Sequence, residues 1–325
     1  MKKGIKISST EDGLFLNDFI LSFDSCRSNT VSFLSSAQNP RQQVSSRIIA
    51  TEETVRILKV FQRKTNALTC QYNRPFSMGK LGLECLPSGG ILGGAWLYLE
   101  TDGTSLLYAP LLRPKTFESL RSMQLKQAKF LVISALHPIH SPNFVRRKGE
   151  IERLTFSLHK DLQEGKRPFV FCPPVGTAQE VIYWCSQKNI PVFTHRLIHE
   201  TNRAYSAFGS QLGASSLIKS GKIQEGVFLF PDHFAKRVAR IGENESTYLV
   251  KKDFVGFEQQ VRGYDDIFYL HLHADLEEIK TLVIPEVRPK RILFFGPYAK
   301  AYAEELKNQA LAVSPIFHNN QWALF

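Results

Sequence analysis

Leu34-Ser35-Ser36-Ala37-Gln38-Asn39-Pro40-Arg41 joins two patterned stretches of the chain and contains no histidine, cysteine or carboxylate. Hydroxyls and neutral amides are poor metal donors, and the Arg41 guanidinium opposes a dication by charge as well as by lacking a lone pair. Upstream, Leu14 to Asp24 (Leu-Phe-Leu-Asn-Asp-Phe-Ile-Leu-Ser-Phe-Asp) reads as two short strands, the second ending on an acidic residue. Downstream, Thr51-Glu52-Glu53-Thr54 supplies a helix N-cap with first-turn acids, and Val55, Leu58, Val60 and Phe61 follow at roughly helical spacing.

Further along, strands are expected at Leu68 to Tyr72, Leu81 to Leu86, Trp96 to Glu100 and Ser105 to Tyr108, with Asp102-Gly103 marking a hairpin turn. This is the texture of half a sheet sandwich. From about Glu150 it changes to alternation: a helix over Ile151 to Leu162, a strand over Pro168 to Cys172, a helix over Gly176 to Gln187, a strand over Pro191 to Thr194 and a helix over Leu197 to Phe208. Such alternation predicts a parallel α/β unit with right-handed crossovers. After a strand at Val227 to Phe230, the region His233 to Asp266 is polar and irregular in pattern and is expected to be flexible. The tail alternates again: a strand at Phe268 to Leu270, a helix from Asp275, a strand at Arg291 to Phe295, a helix at Tyr298 to Leu306 and an edge strand at Trp322 to Phe325.

With 325 residues, 43% of them hydrophobic, the chain can bury a sizeable core as one large or two intermeshed domains. Lysine and arginine outnumber acids 41 to 30, a formal net charge of +11 that favours polyanionic partners such as nucleic acid. The five cysteines are scattered and never form a Cys-x-x-Cys pair, so neither a disulfide framework nor a zinc knuckle is indicated, and a reducing cytoplasm fits. The N-terminus does not read as a signal peptide, and the most apolar window, Gly89 to Leu99, is far short of the ~20 residues of a membrane helix.

The order of a strand-rich half, an inserted α/β unit and a closing α/β tail resembles the β-CASP branch of the metallo-β-lactamase fold. More closely it is similar to the bacterial exonuclease-like subfamily of mRNA 3′-end processing factors and ligase-associated exonucleases. The segments that carry the likeness cover nearly the whole chain. Ala50-Thr51-Glu52-Glu53-Thr54 matches that subfamily's Ala-Thr-x-x-Thr helix start, and Pro87-Ser88-Gly89-Gly90-Ile91-Leu92-Gly93-Gly94-Ala95 its Pro-Ala-Gly-His-Ile-Leu-Gly-Ser-Ala. Gly176-Thr177-Ala178-Gln179 resembles the Gly-Lys-Ala-Gln helix start of the inserted domain. His195 with Thr201-Asn202-Arg203-Ala204-Tyr205 resembles its His-Gly and Asn-Arg-Ala-Tyr segments, and His273-Ala274-Asp275 its Ser-Asp-His-Ala-Asp.

The resemblance implies an α/β, metallo-β-lactamase-like αββα fold with an inserted β-CASP domain, divided as 1–148, 149–255 and 256–325. Members of the family bind two zinc ions and cleave phosphodiesters with a bridging hydroxide. Here Asp24 keeps the carboxylate that positions the family's histidine cluster, and His273 keeps the β-CASP histidine. The other ligand positions have changed character. Ser36, Gln38, Pro40 and Arg41 stand in for His-x-His-x-Asp-His, and Gly90 replaces a histidine. Leu111 occupies the bridging aspartate position, Ser134 the acidic position of the inserted domain's first strand, and Phe295 the last histidine position. No resident cofactor is therefore expected, and Ser36, Gln38, Arg41, Gly90, Leu111 and Phe295 are expected to converge beside Asp24 and His273, with Arg41 pairing Asp24.

Other templates find less support. No glycine pattern ends in Lys-Ser or Lys-Thr, there is no Gly-x-Ser-x-Gly elbow, and the pairs His137/His140, His195/His199 and His271/His273 lack a second carboxylate cluster. Three basic clusters, Arg113 with Lys115, Arg146-Arg147-Lys148, and Lys236-Arg237 with Arg240, are expected to line a groove between the domains and bind phosphates, with His195 and Arg203 beside them. The resulting expectation is a catalytically degenerate nuclease homologue that binds RNA or DNA or partners an active paralogue, away from membranes. Two alternatives differ from it in class: a nuclease with a displaced or reduced metal site built from Asp24, His273 and His271, and a purely structural subunit with an acidic protein partner.

Overall fold

The computed structural model describes residues 5–17, 19–27, 29–40, 45–64, 66–113, 120–139, 147–220, 225–237, 242, 244–252, 263–307, 311–316 and 321–324. The chain divides into two compact units. The first comprises Met1–Lys115, Arg121–Ile139 and His273–Phe325, and the second Thr116–Leu120 and His140–Leu272.

The first unit opens with β1 (Ile5–Thr10), β2 (Gly13–Leu16), β3 (Leu21–Phe23), β4 (Val31–Phe33), β5 (Arg47–Thr51), α1 (Glu52–Val60) and β6 (Asn66–Cys70). It continues with β7 (Phe76–Met78), β8 (Leu81–Pro87), β9 (Ala95–Thr101), β10 (Thr104–Ala109) and β11 (Phe130–Ser134). The second unit carries α2 (Arg147–Gln163), β12 (Arg167–Cys172), α3 (Thr177–Gln187), β13 (Val192–Thr194), α4 (Arg196–Ala207), β14 (Ser216–Leu217), β15 (Val227–Pro231), a 3-10 turn (Asp232–Arg237), β16 (Glu245–Lys251) and β17 (Asp266–Tyr269). The chain then returns to the first unit as α5 (Leu276–Glu278), a π turn (Ile279–Val283) and α6 (Ile284–Val287) in one helical stretch, β18 (Arg291–Phe295), α7 (Ala299–Leu306), β19 (Ala312–Pro315) and β20 (Gln321–Leu324).

Two seven-stranded sheets build the first unit, ordered β20-β1-β2-β3-β4-β5-β6 and β19-β18-β11-β10-β9-β8-β7. Period-two alternation decides how they pack. In the second sheet Leu97, Leu99, Leu106, Tyr108, Phe130, Val132 and Leu293 point into one core, where they meet Ile7, Leu16, Phe23, Phe33 and Ile49 of the first sheet. Their neighbours Trp96, Tyr98, Leu107, Leu131, Ile133 and Phe294 face the opposite way, onto Leu276, Ile279, Val283 and Val287 of the helical stretch and Tyr302 and Leu306 of α7. Burial on both faces is why β10, β11 and β18 read as nearly continuous apolar runs. On the first sheet α1 packs by β5 and β6 with Val55, Ile57 and Leu58 buried. The unit is a face-to-face sheet sandwich with a helix against its first sheet and helices covering the outer face of its second.

The second unit is a six-stranded sheet, β14-β13-β15-β12-β16-β17, in which every neighbouring pair is parallel. Parallel pairing requires crossovers: α3 carries the chain from β12 to β13 and α4 from β13 to β14.

Three details depart from the sequence-based expectation. The stretch His233 to Asp266 contains β16, which pairs with β12 and β17, because Thr247-Tyr248-Leu249-Val250 is strand-prone despite its polar surroundings. The second unit therefore runs to Leu272, past the expected boundary at 255, since β17 belongs to its sheet. Leu131 to Ser134, expected to open the inserted domain, lies in β11, between β10 and β18 of the first unit. Among the described residues, no helix is long and apolar enough to cross a membrane.

Candidate functional site

A cavity of about 160 Å³ opens in the first unit, where β3, β10, β11 and β18 end. Asp24, Ser36, Gln38, Ser134, His273 and Phe295 line it, with Asn39, Tyr108 and Pro110.

Asp24 follows β3 in a left-handed conformation, φ 46°, which aspartate tolerates better than most residues. One carboxylate oxygen accepts the Ser35 backbone N–H at 2.8 Å and the other the Tyr108 hydroxyl at 2.8 Å. Burial pushes the Asp24 carboxyl above its ordinary pKa, and hydrogen bonds from the backbone and side chain of Ser35 and from Tyr108 oppose that shift. Tyr108 also packs among Phe23, Phe33 and Phe295, its ring stacked on Phe295 at 5.8 Å between centroids. An aromatic wall thus stands on one side of the carboxylate.

His273 is held from several directions. Its Nδ1 lies 2.8 Å from the Pro110 carbonyl, which can only accept, so Nδ1 carries the proton. The Ser134 hydroxyl donates to the same carbonyl at 2.6 Å. The backbone carbonyl of His273 receives Arg113 Nη2 at 2.8 Å and His137 Nε2 at 3.1 Å. Arg113 also pairs with Glu278 at 2.8 Å, and Glu278 completes a reciprocal cap with Asp275 at the start of α5. His137 is fully buried, which pushes its pKa down to about 4 and keeps its ring neutral at physiological pH.

The structure brings together Asp24, Ser36, Gln38, Ser134, His273 and Phe295. Pro40, Gly90 and Leu111 are outside the cavity lining. Each has a local role: the Pro40 carbonyl accepts Arg63 Nε at 2.9 Å, the Leu111 carbonyl accepts Trp96 Nε1, and Gly90 takes a positive φ of 63° in the turn between β8 and β9. Arg41, Lys115, His140, Arg146 and Arg240 are outside the described residues, as are the side chains of Lys236 and Arg237 in the 3-10 turn.

Several expected phosphate-binding residues have other occupations. Arg113 is buried and committed to Glu278 and His273, so it is not an exposed cation. Arg147 is largely buried, donating to Glu180 and to the His271 carbonyl. His195 caps α4, its Nδ1 accepting the Leu197 N–H at 3.2 Å, while its ring packs on Phe234. Lys148 is exposed, and so is Arg203, beside Glu200. Spacing alone does not reveal His137 and Tyr108, the supports of His273 and Asp24. Their signal was apolar context, a polar ring inside an otherwise buried run.

The donor set does not suit the two-zinc centre that the resemblance implies. Asp24 and His273 are the only carboxylate and imidazole in the described lining, and both Asp24 oxygens are already taken by Ser35 and Tyr108. Among the described residues no group of three or more histidines, cysteines or carboxylates is placed to hold a metal ion.

No protein-family model matches the chain. It is 21% identical over 304 residues to a protein of Opitutus terrae named as a probable DNA ligase, a match covering 90% of this chain and 29% of that protein. The chain thus spans under a third of that relative's length. Among solved structures it resembles a protein of unknown function from Enterococcus faecalis V583, with TM-score 0.63 and 14% identity over 91% of this chain and 81% of the other. That likeness is one of fold.

Proposed function

We propose that this chain is a catalytically degenerate member of the β-CASP branch of the metallo-β-lactamase fold, which binds DNA and works beside an active nuclease or ligase in the cytoplasm. The observation that carries the reading is the Asp24 cavity. Six positions that the sequence resemblance assigns to the family's catalytic centre meet there, Asp24 and His273 together with four that carry hydroxyl, amide or phenyl groups where ligands would be needed. A carboxylate engaged by a backbone N–H and a tyrosine hydroxyl is organised as a structural anchor, and Phe295 makes the site partly apolar. The formal net charge of +11 supports a polyanionic partner, and similarity to a protein named as a probable DNA ligase favours DNA over RNA.

The test pairs a cleavage assay with a binding assay on the full chain. Single-stranded DNA with zinc or manganese should remain uncut while binding in a salt-dependent way, each phosphate contact releasing condensed counterion. Metal-dependent cleavage abolished by His273→Ala would overturn the degenerate reading in favour of an active enzyme with a reduced site. Absence of DNA binding at low salt would favour the structural-subunit reading.

A further inference from the structure

The second unit contains a cavity that the vestigial centre does not explain. It has a volume of about 480 Å³ and is lined along α4 by His199, Asn202, Arg203 and Ser206, and opposite them by Leu212 and Ser215 of the loop before β14. That size falls within the ~300–1,000 Å³ range of small-molecule sites.

Its walls are tied in place. Asn202 donates to Ser215 Oγ at 3.2 Å and accepts from the buried Gln179 of α3 at 2.9 Å, linking loop and both helices. Gly213, at φ 88°, lies so close to α3 that a Cβ there would fall 2.2 Å from Ser186 Oγ. The loop is therefore seated by a close backbone approach that only glycine permits. The Asn202-Arg203 pair and Gln179 belong to two sequence motifs that found no role at the Asp24 cavity.

The polar lining consists of donors or ambivalent groups: a guanidinium, an imidazole, an amide and two hydroxyls, with no carboxylate among the lining residues. His199 is half-buried and lines the same wall one helical turn before Arg203, so the imidazole and the guanidinium border one cavity. Among the described residues Arg203 pairs only with Glu200, at 3.2 Å, in an exposed pair of the kind worth little in water. The site lies toward the C-terminal end of α4, where the helix dipole disfavours an anion, but Tyr205 and Ser206 carbonyls are already occupied by the N–H groups of Phe208, Gly209 and Ser210. Leu212, Ala207 and Ala214 offer apolar surface for a sugar or base.

We propose that this cavity is a nucleotide-phosphate site, in which Arg203 and His199 hold the phosphate and the Leu212–Ser215 loop receives the nucleoside. The assignment rests on residues of the second unit and does not depend on the reading of the Asp24 cavity. The same chemistry could be presented by a free mononucleotide or by a phosphorylated strand end. The full chain is titrated calorimetrically with adenosine 5′-monophosphate, with adenosine, and with a short oligonucleotide with and without a 5′-phosphate. Expected is saturable binding of the monophosphate at least about tenfold tighter than adenosine, as charge-assisted bonds to Arg203 require. Arg203→Gln and His199→Leu should each remove most of that preference. Arg203 is 71% exposed, so its substitution tests the site without threatening the fold. A phosphorylated strand binding more tightly than the mononucleotide identifies a strand end as the ligand, and equal or weaker binding identifies the free nucleotide. Adenosine binding as well as its monophosphate, no binding by any phosphate compound, or wild-type affinity in Arg203→Gln would each overturn the proposal.

Discussion

Tyr108 spends its hydroxyl on the buried Asp24 carboxylate, so its loss should register as stability. Tyr108→Phe leaves one buried Asp24 oxygen without its hydrogen bond and is expected to destabilise the chain by about 1–3 kcal/mol in urea denaturation. An unchanged midpoint would mean that Asp24 is not anchored as described. His137 gives a pH signature. Its pKa falls from 6.5 to about 4 on folding, so between those values the unfolded chain binds more protons than the native one. Stability is therefore fully present above about pH 6.5 and declines as pH drops toward 4, by up to roughly 3 kcal/mol from this residue. Asp24, whose pKa is raised, contributes with the opposite sign as pH rises above its ordinary value of 3.8. His137→Asn keeps a donor for the His273 carbonyl but no titrating ring, and should flatten the decline between pH 6.5 and 4 when melts are compared with the parent chain.

At the scale of elements, the turn between β8 and β9 and the start of α1 form one device. The Gly93 carbonyl accepts the hydroxyls of both Thr51, the α1 N-cap, and Thr54. Gly93 has φ 77°, and a Cβ there would lie 2.6 Å from the Thr54 nitrogen. Gly93→Ala combines a backbone strain of roughly 1–3 kcal/mol with that clash and should lower the melting temperature more than Gly79→Ala, where a Cβ meets nothing. Equal shifts in the two variants would contradict the close approach. The cap of α1 was legible from Thr51-Glu52-Glu53-Thr54, because capping is a contact over three residues. Its second partner, 42 residues away, was not.

At the scale of the whole molecule, the donor set of the Asp24 cavity predicts metal content. Protein purified without added metal should contain far less than one zinc per chain by elemental analysis, since the Asp24 cavity supplies one imidazole and an engaged carboxylate. Stoichiometric zinc would require ligands beyond that lining. For nucleic-acid binding, the Arg146-Arg147-Lys148 run cannot be reversed as a block, because Arg147 neutralises the buried Glu180. The exposed Lys148 is the clean probe. Lys148→Glu should weaken single-stranded DNA binding and reduce the salt slope by about one or two contacts in fluorescence anisotropy, with stability changed by no more than about 0.5 kcal/mol. Unaltered affinity would place the DNA elsewhere on the chain.

The sequence by itself determined what is local or chemical. The strand and helix periodicities placed most elements, the glycines placed the turns, and the side chains at Ser36, Gln38 and Phe295 decided that they could not serve as zinc ligands wherever the fold put them. Only the tertiary structure decided which polar groups were buried and what they met. Arg113 looks like any surface cation in sequence, yet its partners are His273, 160 positions away, and Glu278, 165 away. His137 and Tyr108 acquire their roles the same way, from His273 and from Asp24. A charge or a ring takes its function from desolvation and from partners brought by sheet pairing across the chain, and no spacing rule over a few residues carries that information.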